Sequence, residues 1–300
     1  CYVLMMYYTT VSGWMLNYFF KFLIGTFPSG STPESVLSSY RYEDAGKVFT
    51  DMLASPGEMS FWMAVTVIAG ILICSIGVQK GLERVSKVMM SALFVLILIL
   101  AIHSFTLSGA GEGLKFYLVP NIENVKSVGL GNVIAAAMNQ SFFTLSLGIA
   151  AMEIFGSYLK KDRRILGESV NVIVLDTMVA IVAGLIIIPA CFAYGIEPDS
   201  GPQLLFITLP NVFHHMVGGR IWGTCFFVFM SFAALSTVIA VFENIITMTV
   251  ELGSWSRKKS LLVNLILIFV LALPAIFGFN LLSGIQPFGS GRHFSSAFSV

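Results

Sequence analysis

Long apolar stretches without charged residues dominate the pattern of this chain. Seven of these stretches are long enough to cross a bilayer as a helix, which takes about 20 residues. They cover residues 1–20, 59–79, 88–111, 127–152, 177–196, 221–242 and 260–291. Polar and charged residues are concentrated between them. The pattern therefore predicts an all-α fold, a polytopic helical membrane protein with seven spans in one domain.

The composition agrees with a membrane protein. The chain is 56% hydrophobic and only 11% charged, whereas about 25% charged residues are usual in soluble domains. Its net charge of +1 argues against nucleic acid as a partner. The cysteines lie in apolar segments without paired spacing, so we expect buried hydrophobic side chains rather than disulfides or metal ligands. Because the chain opens inside an apolar span without Met or a leader, we expect a fragment of a longer polypeptide.

Basic residues indicate how the spans are oriented. Three short loops, at 80–87, 160–164 and 257–259, hold ten of the 17 Lys and Arg residues. If the spans are threaded in order, these loops all fall on one side, which the positive-inside rule makes cytoplasmic. The outer loop 195–219 is partly apolar and predicts two short amphipathic turns broken at Pro210. Such a loop either dips back toward a vestibule or forms a surface hairpin.

The apolar stretch 127–152 differs from a plain membrane anchor. Its centre, Phe142 to Ala150, reads FFTLSLGIA and is rich in Ser, Thr and Gly. A helix interrupted at mid-membrane frees backbone carbonyls and hydroxyls that can hold a dehydrated cation. The sequence therefore predicts a broken helix with the chemistry of an ion site.

Three acidic residues, Glu153, Asp176 and Glu243, lie in or beside predicted spans. Charged groups in a membrane are costly and usually functional. An ionised Asp176 needs a cation, a hydrogen-bond network or a proton, and the alternative is an interhelical hydrogen bond without transport chemistry. The alternatives are a place at the inner interface for Glu153 and a structural role for Glu243.

Ser236 and Thr237 are adjacent hydroxyl residues in an apolar span. A helix brings hydroxyls at i+3 and i+4 beside the carbonyl of residue i, here Ala233. Three such oxygens form half of a coordination shell for a hard cation such as sodium. The alternative is that both hydroxyls only bond back to the preceding turn of their own helix.

These motifs resemble the bacterial neurotransmitter:sodium symporter family. FFTLSLG, residues 142–148, resembles the sixth helix of the family, and residues 232–251 resemble the eighth. The resemblance implies an inverted five-plus-five repeat in which a central pair of broken helices binds substrate and ions. Residues 1–288 would form a single transporter domain with family helices three to nine. The first two helices and the C-terminal helices would be missing, and 289–300 is an unassigned tail.

The resemblance also implies roles for individual residues. The sodium ligands would be Thr144 and Asp176 at a site beside the substrate carboxylate, and the Ala233 carbonyl, Ser236 and Thr237 at a second site. Tyr8 would hydrogen-bond the carboxylate, and Phe143 would close over the substrate. The pocket for the substrate side chain would comprise Leu4, Ser146, Ile149, Thr237 and Val241. The cytoplasmic gate would include Tyr158 and Glu251.

Asp176 is a departure from many members of the family, which have Asn at this position. A carboxylate beside sodium resembles the chloride-independent bacterial members, in which a negative charge replaces chloride. A second departure is Ala150, where a glycine is common in the family. This change would narrow the pocket.

The sequence thus predicts a sodium-coupled symporter of the cell (plasma) membrane that moves a neutral, apolar or aromatic amino acid inward by alternating access. Sodium (Na+) would be the co-transported ion, without an organic cofactor, and the partners would be the amino acid, sodium and the lipid bilayer. The chain has no nucleophile–base pair or phosphate loop, so we expect no enzyme. The alternatives are a proton-coupled transporter with Asp176 as the carrier, and a membrane receptor or scaffold that does not transport.

Overall fold

The computed structural model describes residues 1–24, 42–76, 79–107, 109–119, 121–148, 152, 156, 159, 164–194, 202–215 and 219–282. Every regular element in these ranges is helical. The chain divides into two compact units, one made of Cys1–Leu93 and Asp199–Val300 and the other of Phe94–Pro198. The single domain predicted for 1–288 and the tail 289–300 stay predictions.

The helices are numbered here in chain order. They are α1 (Tyr2–Ile24), α2 (Tyr42–Ala54), α3 (Pro56–Ile76), α4 (Gln79–Phe105), α5 (Ala110–Leu118), α6 (Ile122–Val128), α7 (Leu130–Thr144), α8 (Ile165–Tyr194), a π-helical turn (Leu204–Thr208), α9 (Leu209–His215), α10 (Gly219–Gly253) and α11 (Arg257–Phe277). Each predicted apolar stretch lies at least partly in one of the longer helices.

Among the described residues, four helices are long and apolar enough to cross a membrane, namely α3, α8, α10 and α11. The end of α4 and α5 form a pair bent by 117°, which gives up to five spans if the pair counts as one. The stretch 1–20 lies in α1, which has 23 residues but carries the buried polar residues Thr9, Thr10, Ser12 and Asn17. Within the stretch 127–152, the described helix α7 has only 15 residues, which is short for a membrane span. The count of seven spans therefore stays a prediction.

Helix α1 is the centre of the first unit and packs against α3, α10 and α11. Its Trp14 side chain is buried and meets the rings of Phe49, Phe206 and Phe279 edge-on, with centroids 5.7, 5.7 and 5.4 Å away. Offset and edge-on ring pairs are the favourable aromatic geometries. This aromatic cluster joins α1 to α2 and to the π-helical turn.

Helices α1 and α3 approach closely at Gly13. A Cβ at this position would lie 2.8 Å from the Met63 backbone nitrogen and 2.9 Å from the Trp62 carbonyl carbon. Real Cβ atoms essentially never come this close to backbone atoms, so only glycine fits without a shift. Small residues are how membrane helices bring their backbones together.

Helices α1 and α10 run antiparallel and in register. At one end, the Asn244 side chain donates to the Cys1 sulfur over 3.5 Å. Nearer the other end, the Tyr18 and Phe227 rings lie 5.2 Å apart. Residue numbers therefore fall along α10 as they rise along α1. This register decides which site residues can meet.

The partly apolar outer loop is a buried helical segment. The π-helical turn is followed directly by α9, and Phe206, Leu209 and Phe213 are fully buried. The prediction of two turns broken at Pro210 is wrong, because Pro210 is the second residue of α9. The chain is helical without interruption from 202 to 215, and the π-helical turn just before Pro210 shifts the regular backbone hydrogen bonds, so the missing N–H of the proline does not end the helix. The segment packs on α2 and α10, so it is not a surface hairpin.

In the second unit, α5 packs against α8. The Ser104 hydroxyl at the end of α4 donates to the Ile186 carbonyl of α8 over 2.9 Å. Pro189 lies inside α8, where it removes a backbone donor. In contrast, α7 has no buried residue, and most of the first half of α8 is exposed.

Candidate functional site

The predicted helix break is present in the second unit. Helix α7 ends at Thr144, and the chain then turns with positive φ at Ser146 (54°) and Gly148 (81°). The Leu147 amide closes the turn by donating to the Phe142 carbonyl over 2.9 Å. A left-handed backbone costs a non-glycine residue about 1 kcal/mol or more. The structure thus confirms that the helix stops within the FFTLSLG segment.

The side chains of Phe143 and Thr144, at this break, are exposed. The Thr144 hydroxyl donates to the Ser141 carbonyl over 3.4 Å, and Phe143 is 60% exposed. Asp176 lies half-buried in α8, and it has no hydrogen bond or ion pair within the described ranges. The roles of Thr144 and Asp176 as sodium ligands and of Phe143 and Ser146 at the substrate stay predictions.

The three predicted ligands of the second sodium site lie together on α10. The Ser236 hydroxyl donates to the Ala233 carbonyl over 2.7 Å, and the Thr237 hydroxyl donates to the same oxygen over 3.4 Å. This is the arrangement expected if both hydroxyls only bond back to the preceding turn of their own helix. Both hydroxyl oxygens thus lie within 3.4 Å of the Ala233 oxygen, and neutral oxygens are ligands that hard cations accept. The geometry agrees with both interpretations.

The structure also brings the predicted substrate tyrosine to this cluster. The Tyr8 phenol of α1 lies next to the Thr237 side chain of α10. Leu4 lies one turn before Tyr8, and Val241 lies one turn after Thr237. Because the helices are antiparallel and in register, Leu4 and Val241 fall at the same level on the two helices. Val241 is fully buried, and Leu4 is half-buried.

Glu251 is the remaining predicted site residue that lies within the described part of the chain. It lies exposed near the end of α10. Ile149 and Tyr158, together with Glu153, lie outside the described residues. Their roles stay predictions.

A polar network between helices was not predicted from the sequence. Asn264 of α11, which is 1% exposed, accepts from the Tyr2 phenol and donates to the Thr249 hydroxyl over 3.1 Å and to the Ser260 carbonyl over 2.9 Å. The network joins α1, α10 and α11. The signal for it was an Asn four residues after a Ser in an apolar span, since buried polar groups in a membrane need partners.

Within the described residues, no group of three His, Cys, Asp or Glu side chains could hold a metal ion. The candidate ion site on α10 consists of neutral oxygens, the ligand type that hard monovalent and divalent cations accept. All four cysteines are free, and Cys74 and Cys191 are buried.

Comparisons with known proteins identify relatives of this chain. The model of the sodium:neurotransmitter symporter family matches residues 31–299. An uncharacterized sodium-dependent transporter of Bacillus subtilis, YhdH, is 35% identical over 96% of this chain and 61% of its own length. One from Haemophilus influenzae is 35% identical over 95% of this chain and 61% of its length. The chain thus spans about three fifths of the length of these relatives.

A solved structure has the same fold. The crystal structure of MhsT in complex with L-phenylalanine matches 99% of this chain and 66% of that chain, with a TM-score of 0.86 and 37% sequence identity. The chain belongs to the sodium:neurotransmitter symporter family. This confirms the family resemblance and the predicted fold class, and it makes the chain a multi-pass membrane protein.

Proposed function

We propose that this member of the sodium:neurotransmitter symporter family is the core of a sodium-coupled symporter that carries a neutral amino acid into the cell by alternating access. The observation that carries the proposal is the cluster of Ala233, Ser236 and Thr237 oxygens on α10, with Tyr8 of α1 beside Thr237. Each sodium ion that enters an inside-negative cell releases about 2.3 kcal/mol per 100 mV. Two ions are therefore enough to drive steep accumulation of substrate.

The two proposed sodium sites use different chemistry. At the second site, neutral oxygens of α10 bind the ion. At the first, Thr144 and Asp176 bind sodium next to the substrate carboxylate, and the negative charge of Asp176 replaces chloride. The exposed hydroxyl of Thr144 at the end of α7 supports this assignment. The helix break supports it as well, because it leaves backbone carbonyls near the ion.

The proposed substrate is a neutral amino acid with an apolar or aromatic side chain. Leu4 and Val241 supply apolar walls at one level of α1 and α10. Pockets for small molecules are usually apolar with a few orienting polar groups. Binding of L-phenylalanine by MhsT, which is 37% identical, supports the aromatic end of this range. Tyr158 and Glu251 belong to the proposed cytoplasmic gate.

The test is uptake of radiolabelled L-phenylalanine by the full-length protein in proteoliposomes. An inward sodium gradient should drive accumulation, and an equal potassium gradient should not. Accumulation driven by a pH gradient without sodium would instead indicate the proton-coupled alternative. Saturable binding without any gradient-driven uptake would indicate a receptor or scaffold.

A further inference from the structure

Asn264 uses both ends of its side-chain amide to join three helices. The amide nitrogen donates to the Thr249 hydroxyl of α10 over 3.1 Å and to the Ser260 carbonyl of α11 over 2.9 Å. The amide oxygen accepts from the Tyr2 phenol of α1. Because a carbonyl can only accept, the Ser260 carbonyl fixes the nitrogen on its side and directs the amide oxygen to Tyr2. Asn264 is thus the joint between α1 and the pair of α10 and α11.

The part of the network on α10 and α11 holds together without Tyr2. The Thr249 and Ser260 hydroxyls lie 2.5 Å apart, and the Ser260 hydroxyl also donates to the Ile246 carbonyl over 3.3 Å. Ser260 is 0% and Asn264 1% exposed, so water is excluded from both side chains. Loss of the Tyr2 hydroxyl therefore disconnects α1 but leaves α10 joined to α11.

Hydrogen bonds between helices have a particular role in a membrane. Apolar side chains pack against lipid as readily as against another helix, so apolar contacts alone hold the register of two helices weakly. A buried amide needs its partners and therefore favours one register, as a single buried Asn does in coiled coils. The Tyr2 bond thus fixes the depth of α1 at this end. At the opposite end, the Arg220 side chain donates to the Phe22 and Leu23 carbonyls.

The proposed substrate pocket lies between these two attachments of α1. Leu4 and Tyr8 follow Tyr2 by two and six residues, and Val241 and Thr237 lie at the same levels on α10. At a rise of about 1.5 Å per residue, both levels are within about 10 Å of Tyr2 along the helix. A shift of α1 at this end therefore changes the distance between the walls of the pocket. The three candidate sodium ligands of the second site all lie on α10, so the same shift leaves their spacing unchanged.

We propose that Tyr2 and Asn264 are positioning residues that hold α1 in the register at which the pocket fits its amino acid. The inference rests on the proposed function, in which Leu4 and Tyr8 of α1 and Val241 of α10 line the pocket. Tyr2 and Asn264 act through the position of α1 and not through contact with the substrate. The Tyr2 bond raises the share of molecules in the binding register, and the apparent affinity for a ligand falls with the share that can bind it.

The experiment compares Tyr2→Phe with the wild type in the full-length protein, reconstituted in proteoliposomes. The KM for sodium-driven uptake of L-phenylalanine should rise by about two- to tenfold, the range for one hydrogen bond, and kcat should stay unchanged. Binding of radioactive sodium without substrate should also stay unchanged, because the ligands on α10 keep their spacing. An unchanged KM would overturn the inference. An equal loss of sodium affinity would overturn it as well, since it would indicate a general loosening of the protein.

The matched control is Ser260→Ala. This change removes a buried hydroxyl from the same network but leaves the Ser260 carbonyl, Asn264 and Tyr2 connected. It should lower thermal stability as Tyr2→Phe does, yet keep the KM of the wild type. If Ser260→Ala raised the KM as much as Tyr2→Phe, the network would have a structural role alone, which would overturn the inference but leave the proposed function intact.

A double-mutant cycle tests whether Tyr2 acts through Asn264. Asn264→Ala should raise the KM at least as much as Tyr2→Phe, and Tyr2→Phe in the Asn264→Ala background should raise it no further. Additive increases would overturn the inference, because Tyr2 would then act independently of Asn264. A wild-type protein without sodium-driven uptake would overturn the proposed function itself.

Discussion

The Arg257 guanidinium donates to the Glu243 carboxylate over 2.8 Å and to the Cys74 carbonyl over 2.9 Å. One side chain at the start of α11 thus connects α10 with the end of α3. Glu243 is 18% exposed and Arg257 44%, so water screens the pair only partly. The ion pair supports a structural role for Glu243, because an acid near a membrane span is stabilised by a cation at this distance.

Loss of the Glu243 charge should destabilise the protein modestly. Glu243→Gln should lower the free energy of unfolding by about 1 kcal/mol, a value discounted for the exposure of Arg257. Arg257→Gln should cost more, because it also removes the bond to Cys74. Thermal unfolding of the purified full-length protein measures both. Lys258→Gln, at an exposed neighbour, is the control, and an equal loss of stability there would contradict the prediction.

Removal of the Thr237 hydroxyl should weaken sodium binding far more than packing explains. Thr237→Val keeps the shape of the side chain but leaves the ion one oxygen short. Since bonds to charged groups contribute about 1.5–3 kcal/mol, the sodium concentration for half-maximal uptake should rise about tenfold or more. Ser236→Ala should act in the same direction.

The control for this prediction is Thr224→Val. Thr224 lies on the same helix, and its hydroxyl bonds back to the Arg220 carbonyl over 2.7 Å, away from the candidate site. Its sodium dependence should match that of the wild type. A Thr237→Val variant that also matched the wild type would exclude the α10 sodium site.

Neutralisation of Asp176 should make transport depend on chloride. Without the carboxylate, the first sodium site lacks a balancing negative charge. Uptake by Asp176→Asn should therefore fall in chloride-free medium and recover in part when chloride is added. The recovery should be larger when Ala180→Ser also adds a hydroxyl one turn away. Glu168→Gln, in the first turn of the same helix, is the control. Uptake that Asp176→Asn leaves unaffected, with or without chloride, would refute the role of Asp176.

Enlarging the apolar pocket should change substrate preference. Leu4→Ala removes an apolar wall at the level of Val241, so L-tryptophan should compete better, and L-leucine worse, for uptake of L-phenylalanine. Val3→Ala, at an exposed neighbour, should leave both unchanged. Lysine or glutamate should compete poorly, since none of the proposed pocket residues carries a charge. If either outcompeted the neutral amino acids, the proposed substrate class would be wrong.

The close approach of α1 and α3 should not tolerate a side chain. Gly13→Ala places a methyl group against the Met63 backbone, and this overpacking should cost about 1–3 kcal/mol of unfolding free energy. Gly46→Ala, in α2, meets nothing within 4 Å and should be neutral or slightly stabilising, as Ala is the better helix former. Similar stability of the two variants in thermal unfolding would contradict the close packing.

Local features of the fold were predictable from the sequence because they depend on residues close together in the chain. The apolar stretches predicted helices, and the cluster of Ser, Thr and Gly predicted the break that begins after Thr144. The spacing of Ala233, Ser236 and Thr237 predicted three oxygens at one point, since the helical pitch alone places i+3 and i+4 beside the carbonyl of residue i. The prediction failed at Pro210, where the π-helical turn just before the proline lets the helix continue.

Tertiary structure alone decided which distant residues meet. Nothing in the local sequence indicates that Tyr8 lies next to Thr237, that Arg257 pairs with Glu243, or that Asn264 joins three helices. These contacts depend on the antiparallel register of α1 and α10 and on packing that only glycine permits at Gly13. The sequence therefore determined where helices form and which polar groups lie together within one helix. The coupling between helices follows from their packing, because contacts between distant segments are set by the fit of whole surfaces.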